Sequence, residues 1–122
     1  MLELDIGSRD YDFPGMAGQI EAYCGKNRIA ARTAGRIQLA FEETAQMLVS
    51  LSESPRIQAV CEYSEAAESA EWTFRYCGPQ ADVTASGDEL ALSVLKGITS
   101  SMDYQREENA DLQNVLRLVI RK

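Results

Sequence analysis

The chain has 122 residues, 12 basic against 19 acidic, a net charge of −7 and no histidine. That length suits one domain of roughly 100–200 residues, 1–122, burying about two-thirds of its unfolded surface without a disulfide or metal staple. With 45% hydrophobic and 25% charged residues it is neither disordered nor collagen-like, and its acidic balance argues against nucleic acid and anionic membrane as partners.

Leu2, Leu4 and Ile6 alternate with Glu3 and Asp5, which predicts a short strand with one wet face. Residues 8–14 read as a polar turn. Pro14 suits a helix start, and the helix runs to about Cys24, closed by Gly25. Ala30, Ala34, Ile37, Phe41, Ala45 and Leu48 then recur at three- and four-residue steps. This stripe predicts a long helix over 29–52, ended by Ser54-Pro55. Residues 56–63 and 71–77 alternate as strands around an acidic turn at 64–69, giving an antiparallel hairpin broken by Gly78-Pro79. A loop follows over 81–87. Ser86-Gly87-Asp88 caps a helix to about Ser101, with Leu92, Leu95 and Ile98 on one face. A short strand (102–106), a polar turn (107–113) and an apolar terminal strand (114–120) complete the chain. The order implies an α+β, two-layer sandwich: a mixed, mostly antiparallel sheet with helices on one face.

Generic chemistry is sparse. Lack of histidine removes the commonest general base and the usual zinc ligand. Cys24, Cys61 and Cys77 form no Cys-x-x-Cys pair, so free thiols in a reducing cytoplasm are expected. Neither common phosphate loop nor a Gly-x-Ser-x-Gly elbow occurs. No apolar run approaches the ~18 residues of a membrane span, and the acidic N-terminal stretch does not read as a signal peptide.

Three stretches carry more. They are Ile37-Gln-Leu-Ala-Phe-Glu-Glu-Thr-Ala-Gln-Met47, Trp72-Thr-Phe-Arg-Tyr-Cys-Gly-Pro-Gln-Ala-Asp82, and Leu90-Ala-Leu-Ser-Val-Leu-Lys-Gly-Ile-Thr-Ser-Ser-Met-Asp-Tyr104 with the closing strand 114–122. With the order of elements, they resemble the histidine-kinase-like (Bergerat-fold) ATPase domain shared with Hsp90-type chaperones and gyrase-type topoisomerases. The likeness is greatest to the bacterial anti-sigma-factor serine-kinase branch and covers nearly the whole chain.

That resemblance implies a nucleotide site, and its motifs fit poorly. The family's helical Glu, followed four residues later by a magnesium-binding Asn, falls on Glu43 and Met47. A register shifted by one pairs Glu42 with Gln46. A thioether is a poor ligand for a hard cation. The family's adenine-binding Asp falls on Tyr76, with Gly78, Pro79 and Asp82 retained around it, and two phosphate-approaching glycines fall on Glu89 and Ala91. Four features are therefore lost together.

The same residues have plain structural readings. Glu43 shares a helix side with Leu39, Ala40 and Met47, away from the main stripe, and is either a vestigial pocket wall or a solvated side chain. Tyr76 and Trp72 suit sheet packing, and Arg28, Arg32 and Arg36 suit a solvated face or a basic stripe for an acidic partner.

The expectation is a degenerate anti-sigma-like interaction module in the cytoplasm. It would bind a sigma factor or an anti-sigma antagonist and use no ATP, cofactor or metal. The alternative is an active serine/threonine kinase-type protein using ATP and Mg²⁺, with Glu43 or Glu42 as base, Gln46 on the metal and Gly78 at the adenine end. A third reading is a homodimerisation module, pairing through an edge offered by the first or the last strand.

Overall fold

The computed structural model describes residues 1–7, 12–51, 56–86 and 88–121. Most of the expected turn at 8–14, the Ser54-Pro55 helix stop and Gly87 of the expected cap lie outside the described residues. Among them the elements run β1 (Leu2–Ile6), α1 (Phe13–Lys26), α2 (Ala31–Val49), β2 (Ile57–Ser64), β3 (Ser69–Tyr76), α3 (Val83–Ser86), α4 (Glu89–Ile98), β4 (Thr99–Arg106) and β5 (Asn114–Ile120).

The strands form one five-stranded sheet in the order β1-β2-β3-β5-β4. Every pairing is antiparallel, so the expected mixed sheet is corrected. The reason is topological. β2–β3 and β4–β5 join by turns, β2 returns antiparallel to β1 after α1 and α2, and β4 runs parallel to β3 but is separated from it by β5. β5 lies inside the sheet between β3 and β4, so β1 and β4 are the edges and the apolar last strand is not one. Its sequence already suits that place: Val115, Leu116 and Leu118 are all buried, as an interior strand demands.

Strand alternation sorts the two faces. In register, Leu4, Ala59, Phe74 and Leu116 lie side by side across four strands, and all are buried. Cys61, Trp72 and Leu118 form the next row. The helices cover this face. Phe41 of α2 meets Trp72 at 5.2 Å between ring centroids and Phe13 of α1 at 6.1 Å. The Trp72 indole N–H donates to the Ile37 carbonyl at 2.9 Å, which anchors α2 to the middle of the sheet. The other face carries Glu3, Asp5, Glu62, Glu71, Arg75, Asp103 and Arg117. Glu71–Arg117 and Arg75–Glu107 pair there at 3.9 and 3.3 Å.

Helix ends depart from the sequence reading for local reasons. α1 starts where the Asp12 carboxylate accepts the Gly15 N–H at 3.0 Å. It continues past Gly25 and closes at Arg28, which adopts φ 54°. The Arg28 N–H bonds the Gly25 carbonyl and the Ile29 N–H bonds the Cys24 carbonyl, the paired bonds of a left-handed helix stop. Arg28 therefore stands outside α2, and Arg36 donates to the Arg121 carbonyl at 2.9 Å, so the three arginines do not form one free stripe. α4 ends at Ile98, not Ser101. Thr99 is already extended (φ −116°, ψ 150°), with its hydroxyl bonded to the Leu95 carbonyl at 2.7 Å. Pairing of Thr99 with Ile120 wins over another helical turn, and a bulge between Thr99 and Ser101 absorbs the change. The expected loop 81–87 holds the short helix α3, started by Asp82, whose carboxylate accepts the Thr84 N–H at 3.0 Å. Cys24 and Cys61 are buried, Cys77 is partly so, and all are free thiols. Burial pushes the Cys61 thiol up to about 12 and the Cys24 thiol in the same direction. Both stay protonated and inert. Among the described residues no helix is long and apolar enough to cross a membrane.

Candidate functional site

α4 packs on α2 beside the sheet's β4 edge and leaves a groove of about 640 Å³ between the two helices. From α2 and its C-terminal end come Glu43, Gln46, Met47 and Leu51. From α4 and its cap come Asp88, Leu90, Ala91 and Val94, and the chain between β3 and α4 closes one end through Ala81 and Val83. Ala40 and Met47, expected on a side of α2 away from the core, are buried, because α4 covers that side.

Of the residues singled out from sequence, Glu43, Gln46, Met47 and Ala91 meet in this groove. Glu42, Tyr76, Gly78, Asp82 and Glu89 do not line it. Glu42 accepts a hydrogen bond from Gln38 at 3.2 Å. Glu89 is exposed in the first turn of α4. Asp82 starts α3. Gly78 has φ 106°, a backbone state that lets the chain turn sharply out of β3.

Tyr76 is buried under the groove's end wall. Its hydroxyl donates to the Ala81 carbonyl, lacing the chain after β3 back onto the sheet. Burial pushes this phenol above its ordinary value, helped by Tyr104 and Asp82, so it remains a neutral donor. Asn114 makes the second lace. It is fully buried, and its amide NH₂ points at the carbonyls of Tyr76, Gly78 and Pro79 at 3.1, 3.4 and 3.3 Å. Its carbonyl accepts the Ala81 N–H and Arg106 Nη1, both at 3.2 Å, and the Tyr104 hydroxyl. Arg106 Nη1 also reaches the Gly78 carbonyl at 3.0 Å.

Asp88 decides what the groove can receive at α4. Its carboxylate accepts the N–H groups of Leu90 and Ala91 at 2.8 and 3.3 Å. A free helix N-terminus attracts anions through such unpaired N–H groups and its partial positive charge. Here a resident carboxylate holds that position. The resemblance places a phosphate-approaching glycine at Glu89; the side chain that takes the N–H groups is its neighbour Asp88. Asp88 was legible as a cap but not as an obstacle. Asn114 had a signal of its own: it shares strand parity with Leu116, Leu118 and Ile120, so its amide faces the core and must be satisfied there.

Among the described residues no group of three or more Cys, Asp or Glu side chains is placed to hold a metal ion. No protein-family model matches the chain, and no curated protein matches it.

Proposed function

We propose that this chain is a degenerate relative of the anti-sigma-factor kinase-like domains, kept in a bacterial cytoplasm as a regulatory protein-interaction module. The observation that carries the loss of nucleotide binding is the Asp88 carboxylate on the first N–H groups of α4. A triphosphate arriving there would meet a negative charge and find the donors taken. Tyr76 adds bulk and a hydrogen bond where the resemblance implies an adenine-accepting carboxylate. The element order, with helices on one sheet face, supports the ancestry. The partner on this reading is a sigma factor or an anti-sigma antagonist, with no cofactor, nucleic acid or membrane involved. Isothermal titration with ATP and Mg²⁺ tests it: no heat of binding is expected. Micromolar binding with phosphate transfer to a partner serine overturns it.

A second reading rests on Glu43 and Gln46 lining one groove. In it the site still turns over ATP, with Glu43 or Glu42 as base and Gln46 on Mg²⁺. Glu43→Gln or Glu42→Gln then abolishes kinase activity, and wild-type behaviour of both variants removes this reading. Homodimerisation through the β1 or β4 edge is decided by light scattering, where a strict monomer rules it out.

A further inference from the structure

The groove between α2 and α4 is bordered by apolar side chains that the fold leaves in water. Leu90 is 80% exposed, Leu51 50% and Val94 37%. Leu90 and Val94 stand four residues apart on α4, so they project as one ridge. Leu51 lies beyond the end of α2 on the opposite rim, and Met47 and Ala91 floor the space between. Two apolar ridges flanking a trough are the geometry that accepts the apolar stripe of a third helix.

Charge fixes the partner's polar flank. Among the described residues no lysine or arginine lines the groove, and Glu43 stands half-buried on the α2 wall. α2 has no basic residue in its last turn to offset the partial negative charge of its carbonyl end, beside Leu51. Asp88 on the α4 side contributes less, because the N-terminus of α4 offsets part of its charge. The larger share of the groove's negative charge is therefore on the α2 side. We propose that the groove takes an amphipathic helix of a protein partner, with its apolar stripe between Leu51 and Leu90–Val94 and lysine or arginine residues along the flank facing Glu43 and the end of α2. This rests on the interaction-module reading and states the chemistry of the partner.

The test uses the whole chain and two labelled peptides of about 18 residues, long enough for five helical turns. Both carry leucines at helical i, i+4, i+7 spacing; one has lysine along the flank, the other glutamate. Fluorescence anisotropy should give saturable binding of the lysine peptide with Kd of about 100 μM or tighter, and binding of the glutamate peptide about tenfold weaker. Leu90→Ser and Glu43→Lys should each weaken the lysine peptide by about threefold or more, and Glu43→Lys should narrow the gap between peptides. Circular dichroism melts of both variants check that the fold is kept, as expected for an exposed Leu90 and a half-buried Glu43 on a groove wall. Equal binding of both peptides, no binding of either, or binding untouched by both substitutions overturns the proposal. So does a concentration-dependent dimer that Leu90→Ser dissolves, which would give the groove to a second copy. ATP titrated into the same samples separates the two levels. Silent ATP with failed peptides removes this inference alone, whereas ATP binding removes the module reading beneath it.

Discussion

Replacing Asn114 with alanine removes the side chain that ties the end of β3, the chain leading to α3 and the β4 edge into one unit. The magnitude follows from its bonds. The amide reaches the Tyr76 carbonyl at 3.1 Å, and its oxygen takes the Ala81 N–H at 3.2 Å and the Tyr104 hydroxyl. The contacts to Gly78 and Pro79 are longer and weaker. Three well-made bonds at about 1 kcal/mol each, plus a buried carbonyl left unpaired, give a loss of about 3–4 kcal/mol; the fourth bond, from Arg106 Nη1, adds little because that group keeps the Gly78 carbonyl at 3.0 Å. For a domain of this size that lowers Tm by roughly 10–15 °C. Hydrogen exchange adds the local readout. The Ala81 amide should lose protection beyond the global change, because Asn114 Oδ1 is one of its two acceptors and the Tyr104 hydroxyl, at 3.3 Å, is the other. Asn114→Asp separates polarity from packing. It keeps the acceptor but sets a carboxylate against three carbonyl oxygens. The retained oxygen still takes the Ala81 N–H, the Tyr104 hydroxyl and Arg106 Nη1, so protection of the Ala81 amide should survive in Asn114→Asp while stability falls. A loss under about 1 kcal/mol for Asn114→Ala, with Ala81 protection unchanged, would refute the lacing argument.

Thr44 is fully buried in α2 and its hydroxyl has no hydrogen-bond partner among the described residues, so Thr44→Val, matched in shape, should stabilise by about 1 kcal/mol in urea denaturation; a loss of stability would contradict the burial of an unpaired hydroxyl. Arg28 holds φ 54° at the end of α1, and Arg28→Gly should raise stability by about 0.5 kcal/mol, the relief of backbone strain less the extra freedom of the unfolded chain; a lower Tm would count against it. The Cys61 thiol is raised from 9.0 to about 12, so the folded state holds its proton where the unfolded chain releases it. Stability is then full below pH 9 and falls as pH climbs, by about 1.4 kcal/mol per unit from this group. Urea midpoints at about pH 7.5 and 10.5 should differ by roughly 2 kcal/mol more in wild type than in Cys61→Ala, and equal slopes would dismiss the assignment.

The frame was legible because its signals are local and repeated. The stripe of Ile37, Phe41, Ala45 and Leu48 can bury only one face of a helix, and all four are in the core. Alternation placed β1, β2 and β3, since a strand with one covered face has no other way to hide its apolar residues. What failed turned on partners distant in sequence. Thr99 is a passable helix residue until Ile120 offers it a strand. Val115 and Leu116 read as an apolar run fit for an edge or the interior, and only the placement of β4 outside β5 decides between them. Gly25 looked like the stop of α1 because glycine tolerates a left-handed turn, yet the turn fell three residues later on Arg28.

The site was harder to read, for a related reason. An alignment to a motif asks which residue type stands at each position, but a groove is made by whichever side chains the packing turns toward one space. Glu89 and Tyr76 drew notice as the wrong residues for phosphate and adenine, yet neither faces the groove. The N-terminus of α4 is filled by Asp88, one position earlier, and the end wall is held by Asn114, about thirty residues later in the chain. Both act through backbone groups of other residues, which a residue-type motif does not encode. Leu51, Leu90 and Val94 were similarly silent, since an exposed leucine is ordinary by itself. They gain meaning only when the α2–α4 packing brings them to opposite rims of one trough, with the larger share of negative charge on the α2 side. A partner that recognised the groove would respond to that asymmetry, which Glu43→Lys reverses while leaving the apolar ridges unchanged.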